Sequence, residues 1–120
     1  MNKILVVEDI TSTRELISSY LRKVGYQVIE ASNGKEAFQK ALEEQPVLII
    51  TDILMPQMSG LELCRMLKKN TTTQQIRLII CSSKDREIDR FWGLRQGVDA
   101  YIIKPFTEEE IVQTVKCLIT

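Results

Sequence analysis

A doubly wound α/β fold, one parallel sheet of five strands covered by five helices, is what this 120-residue sequence predicts. Two observations carry the prediction. Short apolar runs of strand length, such as Ile4–Val7 and Val47–Ile50, are continuous rather than alternating, as expected of strands buried on both faces. These runs alternate strictly with stretches in which apolar residues recur at helical spacing, the signature of parallel strands joined by helical crossovers.

The elements follow in order. Lys3–Glu8 forms the first strand. Ser12 and Glu15 read as a capping box, opening a helix with Leu16, Ile17, Tyr20, Leu21 and Val24 at helical spacing, closed by Gly25. Gln27–Ala31 is a short second strand. Asn33-Gly34 turns into a second helix with Ala37, Phe38, Ala41 and Leu42 on one face. Pro46 precedes the third strand, which runs into Asp52. Ser59 and Glu62 cap a third helix whose Leu63, Cys64 and Leu67 face inward. Asn70–Gln75 is a polar, Thr-rich loop without further signal. Ile76–Cys81 is the fourth strand, ending at Ser82 and Ser83. Asp85–Gln96 is a fourth helix closed by Gly97, and Val98–Ile103 is the fifth strand, followed by Lys104 and Pro105. Thr107 and Glu110 cap the fifth helix, with Ile111, Val112, Val115, Leu118 and Ile119 inward. The simplest closure is the flavodoxin-like strand order 2-1-3-4-5 over a single domain, residues 1–120.

Composition narrows the function. Sixteen basic and sixteen acidic residues cancel, so bulk charge suggests neither nucleic acid nor a membrane surface as partner. The chain has no His, which removes His-ligated metals and Ser-His or Cys-His catalytic pairs. Cys64, Cys81 and Cys117 lack metal-ligand spacing and read as small core residues in a reducing compartment. Acidic residues arrive too early for a signal peptide, and no apolar run is long enough to span a membrane. The expectation is a cytoplasmic protein.

Open α/β sheets bind ligands at the carboxyl ends of their strands. There the predicted topology gathers Glu8 and Asp9 from the first strand, Asp52 from the third, Ser82 from the fourth and Lys104 from the fifth. Each has a bland reading alone, as a helix cap, a turn or a loop residue. Together they make a coherent chemical set. Three converging carboxylates repel unless a cation sits among them, and hard oxygen ligands suit Mg²⁺. A lysine ammonium neutralises an oxyanion, a serine hydroxyl donates to it, and an aspartate serves as nucleophile toward phosphorus.

The motifs VVED (Val6–Asp9), TDILMPQMSG (Thr51–Gly60), ICSSKD (Ile80–Asp85) and QGVDAYIIKPF (Gln96–Phe106) resemble those of receiver domains of two-component response regulators, over the whole chain. The resemblance implies that Asp52 is the phosphoacceptor. It also implies that Glu8, Asp9, Asp52 and the backbone carbonyl of Leu54 hold Mg²⁺ or Mn²⁺. Ser82 would be the switch hydroxyl, Tyr101 the aromatic that reorients with it, and Lys104 the partner of the phosphoryl group, with a cis peptide to Pro105. Departures from the usual pattern are Glu8 for the first Asp, Ser82 for Thr and Ile10 for a polar residue. Leu54 and Lys84 stand where the family tunes phosphoryl lifetime, and an apolar Leu54 is expected to slow hydrolysis.

The implied donor is a histidine kinase or phosphotransfer domain. The chain ends after its last helix, so a stand-alone, CheY-like regulator is expected. It would signal to a protein effector through the face of the fourth helix, fifth strand and fifth helix. It would be no enzyme beyond transfer to, and hydrolysis from, its own aspartate. Trp92 on that face reads as partly buried, with partner anchoring as the alternative, and Gly93 as a close-packing position. Trp92-Gly93 followed by Gln96-Gly97 looks like the PilH-like regulators of type IV pilus motility and phototaxis. A phosphate sink or relay member without a direct effector is the alternative role. A phosphatase is disfavoured because Leu54 stands where such enzymes place a second Asp, and a flavin because the carboxylates would repel its phosphate.

Overall fold

The computed structural model describes residues 2–83 and 97–119. Its centre is a parallel sheet in the order β2-β1-β3-β4-β5, built from β1 (Lys3–Val7), β2 (Gln27–Ala31), β3 (Leu48–Thr51), β4 (Arg77–Ser82) and β5 (Ala100–Ile103). The expected flavodoxin-like order is therefore the observed one. Register pairs Val7 with Ala31 and Thr51, Thr51 with Ile80, and Ser82 with Ile103, so β1, β2 and β3 end level and β4 and β5 run two residues further at the same edge.

Side chains alternate across the sheet and make two cores. On one face Leu5, Val7, Ile49, Leu78 and Ile80 pack with Ala37 and Ala41 of α2 (Gly34–Glu44) and Leu63, Cys64 and Leu67 of α3 (Gly60–Lys69). On the other, Ile4, Val6, Leu48, Ile50, Ile79 and Cys81 meet Ile17 and Leu21 of α1 (Thr11–Lys23) and Ile111 and Val115 of α4 (Glu108–Ile119). Each fully buried Ile or Leu contributes about 1.5–3 kcal/mol, so this double-sided burial dominates the stability. It also explains why the central strands are unbroken apolar runs.

Four helices stand among the described residues. The predicted helix over 85–96, with Trp92 and Gly93, lies outside them, as does Lys84. Three helix starts follow the sequence reading. The Asn33 side chain accepts from Glu36 N–H (2.8 Å), Ser59 Oγ accepts from Glu62 N–H (3.1 Å), and Thr107 and Glu110 cap each other reciprocally.

Other expectations need correction. The Ser12–Glu15 box does not form, because α1 starts two residues earlier than a Ser12 cap implies, at Thr11, with Ile10 as N-cap. Glu8 Oε2 accepts the Ile10 N–H at 3.3 Å, so a residue of the acidic pair closes that turn instead. Val47 precedes β3, and its side chain is exposed at the rim of the sheet even though its backbone bonds to Lys3 and Arg77. Leu16, Val24 and Cys117 sit on outer helix margins and are exposed, so only Cys64 and Cys81 are core cysteines. The loop after α3 hides a structural residue. Thr73 is fully buried and donates to the Leu67 carbonyl at 2.6 Å, satisfying an end of α3.

Candidate functional site

Because all five strands are parallel, residues just past their carboxyl ends share one edge. Glu8 follows β1 and is buried; Asp9 beside it is exposed. Asp52 follows β3 and is buried. Ser82, the last residue of β4, is fully buried, and Lys104 follows β5 with a cis peptide bond to Pro105. Tyr101 lies on β5 opposite Ile80, two residues before the partner of Ser82, and packs half-buried against the α2–α3 core.

One cation ties this edge together. Lys104 Nζ donates to Glu8 Oε1 at 2.6 Å and to Asp52 Oδ2 at 3.1 Å. The second oxygen of Asp52 accepts the Ile53 N–H at 2.7 Å. Glu8, Asp9 and Asp52 each present an oxygen within 4.8 Å of the others. At that separation two carboxylates repel by about 3.5 kcal/mol at an effective dielectric near 20. Burial pushes the Glu8 carboxyl above its ordinary range, the Lys104 bond pulls it back, and Asp9 and Asp52 raise it further, leaving a net rise. For Lys104, burial alone would lower the ammonium, but the bond to Glu8 and the charge of Asp52 outweigh it, leaving it raised. Cys81, on β4 below the site, has its thiol pushed up to about 12 by burial, which removes it as a nucleophile.

The loop from Ile53 to Ser59 is held by its own backbone. Met58 N–H bonds to the Pro56 carbonyl at 2.8 Å around Gln57, whose φ is +71°, the geometry of a γ-turn. Gly60 N–H bonds to the Ile53 carbonyl at 2.8 Å. A Cβ on Gly60 would lie 2.0 Å from the Asp52 carbonyl oxygen, so glycine is what lets the start of α3 press against the backbone carrying Asp52. The side chain of Leu54 is exposed in this loop.

Glu8, Asp9, Asp52 and Lys104 are thus brought together, and Ser82 stands at the same sheet edge. Arg14, which the sequence reading passed over, joins them from behind. Its Nη1 donates to the Glu8 carbonyl oxygen at 2.7 Å and its Nε to Glu30 Oε1 at 3.0 Å. A lone arginine one turn into an amphipathic helix carries no sequence signal of that reach.

A trio of carboxylate oxygens with no nitrogen or sulfur donor fits a hard divalent cation such as Mg²⁺. Among the described residues no helix is long and apolar enough to cross a membrane.

Comparison with known proteins agrees with this geometry. The family described as "Response regulator receiver domain" matches residues 4–116. Protein PilH of Pseudomonas aeruginosa is 36% identical over 119 residues, covering 99% of this chain and 98% of that protein. The transcriptional regulatory protein ResD of Bacillus subtilis is 40% identical over 117 residues; these are 98% of this chain and 48% of ResD, so the chain spans about half of it. The solved structure of chemotaxis protein CheY4 of Vibrio cholerae, crystallised at low pH, superposes with a TM-score of 0.94 at 28% identity, covering 99% of both chains. The sheet order, the acidic edge with its lysine, and these matches lead to one conclusion: the chain belongs to the response regulator receiver domain family.

Proposed function

We propose that the chain, as one receiver domain over residues 1–120, accepts a phosphoryl group on Asp52 from a histidine kinase or phosphotransfer domain. The observation that carries this reading is Lys104 bridging Glu8 and Asp52 inside a three-carboxylate cluster. An Asp52 oxygen attacks phosphorus, the bond from phosphorus to the donor histidine nitrogen breaks, and the imidazole takes a proton as it leaves. Lys104 and Ser82 are positioned at the same edge to stabilise the phosphoryl oxygens, the lysine by charge and the serine by its hydroxyl. Glu8, Asp9, Asp52 and the Leu54 carbonyl would hold Mg²⁺ or Mn²⁺, which supplies charge neutralisation for the incoming phosphoryl group.

Ser82 and Tyr101 form the switch, and the readout is the surface around β5 and α4. A protein effector docks there and neither nucleic acid nor membrane is bound. Chemistry on its own aspartate, transfer and hydrolysis, is all that the chain catalyses. A cytoplasmic role in motility or taxis is supported by Trp92, Gly93, Gln96 and Gly97 and by the likeness to PilH and to the chemotaxis protein CheY4.

The test is labelling with a small acyl phosphate and Mg²⁺, followed by intact-protein mass. One added phosphoryl group is expected on the native protein and none on Asp52→Asn. Equal labelling of that variant would refute the assignment.

A further inference from the structure

We propose that Arg14 is a positioning residue for the metal-binding pair Glu8 and Asp9, acting as a two-pronged brace between their peptide bond and the edge strand β2. This inference rests on the reading of the acidic cluster as a divalent-cation site. The backbone of Glu8 is held on both sides: its N–H donates to the Ala31 carbonyl at 3.1 Å, and its carbonyl accepts from Arg14 Nη1 at 2.7 Å. The Glu8 carbonyl belongs to the peptide that leads into Asp9, so the bond from Arg14 sets the plane from which the Asp9 side chain departs. The second prong, Nε, is anchored on Glu30 at 3.0 Å, and Glu30 is in turn gripped by Arg22 Nη2 at 3.3 Å. Glu30 sits on β2 opposite Val6, so the anchor belongs to the sheet itself.

Arg14 is mostly buried, with its side chain 16% exposed. Its charge is answered by Glu30, so its influence on the acidic pair is geometric more than electrostatic. A planar guanidinium with a fixed fork can satisfy both acceptors at once, whereas a lysine offers a single ammonium centre. Groups that orient metal-binding residues change affinity by about ten- to a hundredfold when removed. Because Arg14 acts through backbone, the lower end of that range, about tenfold, is expected.

The experiment counts bound Mn²⁺ by the loss of the free-ion electron paramagnetic resonance signal, on the native chain, Arg14→Met and Arg14→Lys. Folding of each is checked by circular dichroism and a urea transition. Both variants should bind Mn²⁺ about tenfold more weakly. In acyl-phosphate labelling they should need correspondingly more Mg²⁺ for half-maximal rate, with the maximal rate spared. If Arg14→Met does not fold, Arg14→Lys decides. Native-like affinity in Arg14→Lys would overturn the brace in favour of simple charge, and a lowered maximal rate with unchanged metal dependence would overturn it too. Failure of the native chain to bind Mn²⁺ would instead refute the cation site, and the brace with it.

Discussion

Substituting Gly60 by Ala sets two effects of opposite sign against each other. Gly60 is the first residue of α3, where its helical backbone would ordinarily make alanine the better choice by about 1 kcal/mol. The new Cβ, however, would lie 2.0 Å from the Asp52 carbonyl oxygen, 2.9 Å from its carbon and 3.1 Å from Ile53 Cα. All three are backbone atoms, so no side chain can swing away. Relief demands that α3 or the strand end carrying Asp52 move by about an ångström, which also strains the bond from Gly60 N–H to the Ile53 carbonyl. Overpacking costs about 1–3 kcal/mol where side chains can yield, and a backbone clash belongs at or above the top of that range. The net expectation is a loss of about 2 kcal/mol or more. With a urea m-value of about 1–3 kcal/mol/M, the midpoint should fall by roughly 1 M. Gly34→Ala is the internal comparison, since the three atoms nearest its Cβ all belong to the side chain of Met58, at 2.8–3.0 Å, and it should cost less. Urea titration of the three proteins, with acyl-phosphate labelling alongside, reads both stability and site integrity. A Gly60→Ala midpoint at or above that of the native chain would refute the reasoning.

Three further outcomes are expected. Lys104→Met removes the partner that lowers the raised Glu8 carboxyl. A carboxyl raised on folding favours the folded state below its unfolded value and loses that advantage as pH rises through the folded one, so the variant should be nearly native-like near pH 4. It should be about 1–3 kcal/mol weaker at neutral pH. The deficit should shrink at alkaline pH, where the native chain loses the contribution of its own raised lysine. Parallel denaturation curves from pH 4 to 11 check this, and a pH-independent deficit would contradict it. Thr73→Val keeps the volume but strips the shorter of two donors from the Leu67 carbonyl, leaving the Asn70 N–H at 3.4 Å, and should cost about 1 kcal/mol in thermal or urea unfolding. An unchanged midpoint would count against the buried cap. Lys104→Ala should still take up a phosphoryl group from an acyl phosphate but fail to change partner binding; native-like binding after labelling would argue against its role in the switch.

Much of the fold was legible because its physics is local or periodic. Continuous apolar runs reported strands covered on both faces, and Asn33, Ser59 and Thr107 marked helix starts because a short side-chain acceptor is what an exposed helix N-terminus needs. Where these rules failed, a side chain a few residues away had supplied a different partner. The start of α1 ignored Ser12 because Glu8 took the Ile10 N–H. Thr73 looked like one threonine among three, and only the nearby end of α3 made it a buried cap.

The site divides in the same way. By itself the sequence determined which residues reach the carboxyl edge: Glu8, Asp9, Asp52, Ser82 and Lys104 each follow or end a strand, and a parallel sheet aligns strand ends whatever lies between them. Tertiary structure alone decided how they engage: which carboxylates Lys104 grips, how closely Gly60 lets α3 approach Asp52, and that Arg14 reaches the Glu8 carbonyl from the next element. Strand order depends on pattern and connection, which are written along the chain. Hydrogen-bond partners depend on ångström-scale distances between segments far apart in sequence, and those exist only once the chain has folded.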